Sequence, residues 1–71
     1  MTEYERAKRW REARGQSRQQ LAQLTGFSPR SIEAYESGMQ PSGQPVPAES
    51  MRRYRLVCAA IHHRMEGFRW E

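Results

Sequence analysis

What this 71-residue chain has little of narrows its chemistry. It carries one cysteine, Cys58, which excludes an intramolecular disulfide and suits a reducing, cytoplasmic setting. No apolar run approaches membrane-spanning length, and the opening MTEYERAKRWRE lacks the apolar stretch of a secretion signal. Glycine-rich phosphate loops, internal repeats and low-complexity segments are missing. The two histidines, His62 and His63, are adjacent and point to different sides of a helix. Cys58 and His62 share one face, but two ligands make no structural zinc site. No nucleophile stands in a pattern that gives it an oriented base. The sequence therefore reads as a non-enzyme with no metal, no cofactor, no small-molecule ligand and no membrane partner. Only 37% of residues are hydrophobic, so one small domain is expected, near the lower limit for independent stability. A dimer partner would add to the buried area.

Lysine is scarce as well. Eleven of the twelve basic residues are arginine, against eight acidic residues, for a net charge of +4. Arginine suits bidentate contact with phosphate and guanine, and a small basic domain has the electrostatic footprint of a nucleic-acid binder.

The most informative stretch is SRQQLAQLTGFSPRSIEAYESG, Ser17 to Gly38. It reads as two short helices, about Arg18 to Leu24 and Pro29 to Ser37, joined by a tight turn. Ser17 and Gln20 stand at capping-box spacing. Ser28 is a good N-cap, with Pro29 at the first helical position, where its missing N–H costs nothing. Phe27 and Ile32 match a hydrophobic staple across that cap. Gly26 and Gly38 supply the two stops. Leu21, Leu24 and Ile32, with small Ala22 at the crossing, are expected to be buried. Two such helices suit a bihelical unit whose second member is presented to a DNA major groove. A helical hairpin used for protein contact is the alternative.

Arg11, then Gly15 and Ser17, Leu21-Ala22, Gly26-Phe27-Ser28, Ile32, and Glu36 before Gly38 together resemble the Cro/cI-type (XRE) helix-turn-helix family. The resemblance covers residues 6 to 38. Gln16 and Ala7 depart from it, standing where an apolar and a larger residue are usual. It implies an all-α fold, a small lambda-repressor-like bundle of four to five helices. It also implies an internal ion pair between Arg11 and Glu36. A glutamate late in a helix faces an unfavourable dipole unless it is paired, which supports the pairing independently.

Around the motif, a first helix is expected from Glu3 to about Arg14, capped by Thr2 and Glu5, with Tyr4, Ala7 and Trp10 toward the core. Trp10 is expected to contribute most to that core. Met39 to Pro47, MQPSGQPVP, is too rich in proline for regular helix. It exceeds the usual connection of the family. A last helix should run from about Ala48 to Glu66, with Gly67 as its stop. Met51, Tyr54, Cys58, Ile61, Met65 and Phe68 recur at heptad spacing along it. Either this stripe packs on the other helices or part of it pairs with a second copy. The expectation is both, with Cys58, Ile61, Met65, Phe68 and Trp70 at a homodimer interface.

Base-reading positions on the second motif helix are expected at Arg30, Ser31, Glu33 and Ala34. Arg30 can match guanine O6 and N7, or else contact a phosphate; Glu33 can accept from cytosine or orient Arg30; Ala34 can touch a thymine methyl. Pro29 offers no donor, so DNA shape is expected to share in recognition. Phosphate contacts are expected from Arg18, Gln19, Ser28, Gln40, Ser42, Arg52 and Arg53. Loop residues Gln40, Ser42 and Gln44 enter through the resemblance, since that region runs along the DNA backbone in the family.

Three function classes follow. The first is a sequence-specific regulator, a dimeric repressor binding an inverted-repeat operator in double-stranded DNA, nucleoid-associated in a bacterial or phage-infected cell. Small size without a ligand or protease domain suggests autoregulation in a phage or mobile element. The long proline-containing loop also resembles the anti-CRISPR-associated repressors. The second is the antitoxin of a toxin–antitoxin pair, and the third is a protein-interaction module that binds no DNA.

Overall fold

The structure, a computed structural model, describes residues 1–63. It holds four helices: α1 (Glu3–Ala13), α2 (Arg18–Thr25), α3 (Pro29–Ser37) and α4 (Ala48–His62). Among the described residues there is no strand, only a single antiparallel bridge between Met39 and Pro45. The fold is all-α, as the sequence led us to expect. The expected end of the last helix at Glu66 and its stop at Gly67 lie outside the described residues.

Local chemistry sets the helix boundaries. Thr2 Oγ1 accepts from the Glu5 amide at 3.2 Å, and Glu5 Oε1 accepts from the Thr2 amide at 3.2 Å. The Thr2 amide and the Thr2 hydroxyl, which donates to the same oxygen at 3.0 Å, hold the Glu5 carboxyl below its ordinary range. Ser17 and Gln20 form the same reciprocal pair, at 3.1 and 2.8 Å. Ser28 Oγ caps α3 by accepting from the Ser31 amide at 3.1 Å, with Pro29 at the first helical position. Gly26 and Gly38 end α2 and α3 at φ of +83° and +79°, the left-handed region that L side chains avoid.

Leu21 and Ile32 are wholly buried and bring α2 against α3; Met51 and Tyr54 bring α4 onto them, and Val46 closes the cluster from the loop. Three aromatic rings extend it. Tyr54 stacks on Tyr35 with centroids 4.5 Å apart, and Phe27 meets both edge-on. Such pairs add about 0.5–1.5 kcal/mol each beyond the area they bury. Among the described residues the buried Tyr54 hydroxyl has no partner in hydrogen-bonding geometry; the nearby thiol of Cys58 is at most a weak one. Burial pushes the phenol and the thiol both upward.

Two expected core residues sit elsewhere. Leu24 is 53% exposed. Leu21, Thr25 and Ala22 take the inner face of the two-turn α2, and Leu24 falls about 100° from the centre of that face. Trp10 is only half-buried, and Tyr54 is the largest fully buried side chain. The indole lies along an open groove between α1 and α4. Its Nε1 donates to His62 Nδ1 at 3.4 Å, and the Arg14 guanidinium covers its ring at 5.0 Å.

The tie between α1 and α3 is ionic. Arg11 Nε donates to Glu36 Oε2 at 2.6 Å and Nη2 to Oε1 at 3.1 Å, while Nη1 donates to the Gln16 carbonyl at 2.8 Å. The two side chains are 10% and 1% exposed. The hydrogen bond to Glu36 raises the Arg11 pKa above its usual value.

Removing either partner destabilises the fold, but unequally. Glu36→Ala strands Arg11 in the interior and costs about 3–5 kcal/mol. Arg11→Ala costs less, because Arg18 still reaches Glu36. Thermal melting without any ligand orders the two; equal melting temperatures refute the asymmetry. The glycines are separable too. Gly26→Ala meets no atom within 4 Å and incurs the left-handed penalty alone, about 1–2 kcal/mol. At Gly38 the new Cβ lands 2.6 Å from Tyr4 Cε2, so Gly38→Ala lowers the melting temperature further. Each added kcal/mol corresponds to about 4–8 °C in a domain of this size.

Candidate nucleic-acid interface

One face of α3 is committed to the interior through Ile32, Tyr35 and Glu36, and what remains exposed is Pro29, Arg30, Glu33 and Ser37. Among the described residues neither Arg30 nor Glu33 takes part in an ion pair, so Glu33 does not orient Arg30 here. Both are open to a partner. Ser31 is half-buried, and its Oγ accepts from Ser28 Oγ at 3.0 Å. The Ser28 hydroxyl is thereby occupied twice, as a cap acceptor and as a donor to Ser31, so donating to a phosphate requires it to rotate.

Ala34 is corrected by the structure. Expected to face outward, it is 8% exposed. The reason is the loop after Gly38, which folds back: Val46 N donates to Gly38 O at 3.0 Å, and Val46 is buried in the same cluster as Ala34. The Ala34 methyl becomes part of a cleft of about 260 Å³ between α3 and the loop, with Tyr35, Val46 and Pro47 among its walls and Arg30, Ser31 and Gln40 around it.

That loop is ordered by its own backbone. Gln40 N donates to Gln44 O at 2.8 Å, Gly43 N to Gln40 O at 2.9 Å, and Gln40 Nε2 to Pro45 O at 3.1 Å. One N–H of the Gln40 amide is thus committed to the loop, and Ser42 and Gln44 are exposed. Residues 39–47 carry no charge at all, which limits them to neutral hydrogen bonds with any anion.

Arg18 and Gln19 open α2. Gln19 is exposed, but Arg18 is half-buried, its Nε donating to Glu36 Oε1 at 3.2 Å. Sequence reasoning missed this contact. Nothing in S-R-Q-Q signals it; it arises because the start of α2 lies beside the end of α3. Arg52 and Arg53 are exposed on α4, with Arg53 3.8 Å from Glu49 one turn away, a solvent-screened pair of little energetic weight.

Of the residues expected at a dimer interface, Cys58 and Ile61 are half-buried and pack on the domain's own core. Met65, Phe68 and Trp70 lie outside the described residues. On the side of α4 away from the core, Leu56 is 58% exposed. Burial holds the Cys58 thiol in its neutral form, the opposite of what a nucleophile needs. Among the described residues no three His, Cys, Asp or Glu side chains cluster to hold a metal, and no helix is long and apolar enough to cross a membrane.

The geometry is thus two capped helices at a tight glycine turn, the second anchored by a buried pair and exposing Arg30 and Glu33. No curated protein and no solved structure matches the chain. A protein-family model described as a helix-turn-helix domain matches residues 5–60, from the start of α1 to the last turn of α4. The match takes in all four helices and most of the chain, consistent with the Cro/cI-type resemblance of residues 6 to 38, and the protein belongs to the helix-turn-helix domain family.

Proposed function

We propose that this protein is a sequence-specific transcriptional regulator, a dimeric repressor acting on an inverted-repeat operator and controlling its own operon in a phage or mobile element. The observation that carries this reading is α3 itself: its inner face is locked by Ile32 and Glu36, and its outer face presents an exposed arginine and an exposed glutamate that form no ion pair among the described residues. Arg30 reads guanine and Glu33 accepts from cytosine, with Ser31 as a lesser donor at the mouth of the cleft. Arg18, Gln19, Ser28, Arg52 and Arg53 meet phosphates, and the uncharged loop adds Ser42 at the backbone. So short a base-reading surface gains specificity by duplication over two half-sites, about one helical turn apart or a multiple of it. A dimer built on α4 and the residues that follow it supplies that duplication. Exposed Leu56 on α4 supports an interface there.

Binding-site selection from random duplexes should enrich one sequence with two-fold symmetry; a flat selection refutes the regulator reading. A dimer neutralising about six phosphates shows a log–log salt slope near −5. Arg30→Ala should cost about 1–3 kcal/mol at one base pair per half-site and relax the preference there. Loss spread evenly over all single-base variants would instead make Arg30 a phosphate contact. Sedimentation equilibrium at micromolar concentration should give the mass of two chains, and Leu56→Glu should shift it toward one. A monomer that still binds the selected duplex tightly overturns the dimer.

A further inference from the structure

We infer that Glu36 is a positioning residue for a backbone contact: it fixes the Arg18 guanidinium so that Arg18 meets a DNA phosphodiester already ordered. This rests on the DNA-binding reading above. Glu36 Oε1 accepts from Arg11 Nη2 at 3.1 Å and from Arg18 Nε at 3.2 Å, while Oε2 accepts from Arg11 Nε at 2.6 Å. Arg11 alone neutralises the carboxylate and satisfies both of its oxygens. Arg18 is therefore surplus to the charge balance of the interior, and the three side chains together keep one positive charge in excess.

That excess is delivered to the surface. The Arg18 side chain is 40% exposed, against 10% for Arg11 and 1% for Glu36. Its only side-chain hydrogen bond among the described residues runs from Nε. A guanidinium is planar, so anchoring Nε on a buried oxygen fixes the direction of the Nη groups, which remain for a ligand. Two parallel N–H donors from one guanidinium match two phosphate oxygens. An untethered arginine loses rotamer freedom when it makes such a contact; Arg18 has lost part of it on folding. Arg30 and Arg52 are exposed and have no such anchor. Lysine cannot replace Arg18 in this role, because its single nitrogen lies at the end of the side chain and cannot reach inward and outward at once.

The experiment compares the intact chain with Arg18→Ala, Arg18→Lys and Glu36→Gln on the duplex recovered by selection, with melting temperatures measured in parallel. Arg18→Ala and Arg18→Lys should each weaken binding about tenfold per protomer, evenly across operator variants and without a change in melting temperature. Arg18→Ala should also lower the salt slope by about one per protomer. Glu36→Gln should weaken binding by folded protein, and by clearly less in an Arg18→Ala background, where only its effect through Arg11 on α3 remains. Arg18→Lys binding like the intact chain overturns the inference, as does an equal cost of Glu36→Gln in both backgrounds. Should Glu36→Gln not fold, the two Arg18 variants decide alone. An intact chain that binds no duplex refutes the DNA-binding reading instead.

Discussion

Glu36 puts a carboxylate, 1% exposed, where solvent cannot stabilise it, and much of the molecule is arranged around that fact. A buried charge is tolerable only if it is paired and its lone pairs are filled. Filling them requires Arg11 on α1 to lie within hydrogen-bonding distance of the last turn of α3, which fixes how those helices cross. The same arginine reaches on to the Gln16 carbonyl, so the turn between α1 and α2 is tied to the same point. Hydrophobic contacts are forgiving of small rotations; a two-point guanidinium–carboxylate contact is not. In a core of six buried apolar residues among those described, that directional contact defines the attitude of α3.

Much of this was legible beforehand, for local reasons. Both capping boxes, the Ser28–Pro29 start and the two left-handed glycines are determined within four residues of sequence, and each appears within one residue of its expected place. The all-α architecture follows from them. What escaped the sequence depends on which elements meet. Leu24 has the chemistry of a core residue but the wrong azimuth on a helix of two turns. Ala34 looked outward on an isolated α3 and is covered only because Val46 returns across it. The hold of Glu36 on Arg18 spans eighteen positions and has no local signature. Trp10 is large enough to dominate a core, but among the described residues no element closes the groove beside it, so that place goes to Tyr54.

The exposed surface divides its labour by charge type. The side chains near the start of α3 are varied in what they offer: a donor fork at Arg30, an acceptor at Glu33, a half-sheltered hydroxyl at Ser31. Around them stand arginines that carry charge without sequence information. Base identity is read by direction, and attraction to a polyanion needs only sign. A chain with eleven arginines and one lysine meets both demands with one residue type, at the cost of surface long-chain side chains that must be ordered on contact.

The loop between α3 and α4 leaves the helical framework and returns to it at almost the same point, since the amide of Val46 already bonds the carbonyl of Gly38. Residues 39–45 are therefore a detour whose two ends touch. Closure entropy grows only slowly with loop length, so lengthening or shortening such an excursion leaves the packing of the helices nearly undisturbed. The excursion is a cassette: exchanging it would redraw the border of the cleft beside α3 while the bundle beneath stays as it is. Changes there can accumulate without refolding anything else.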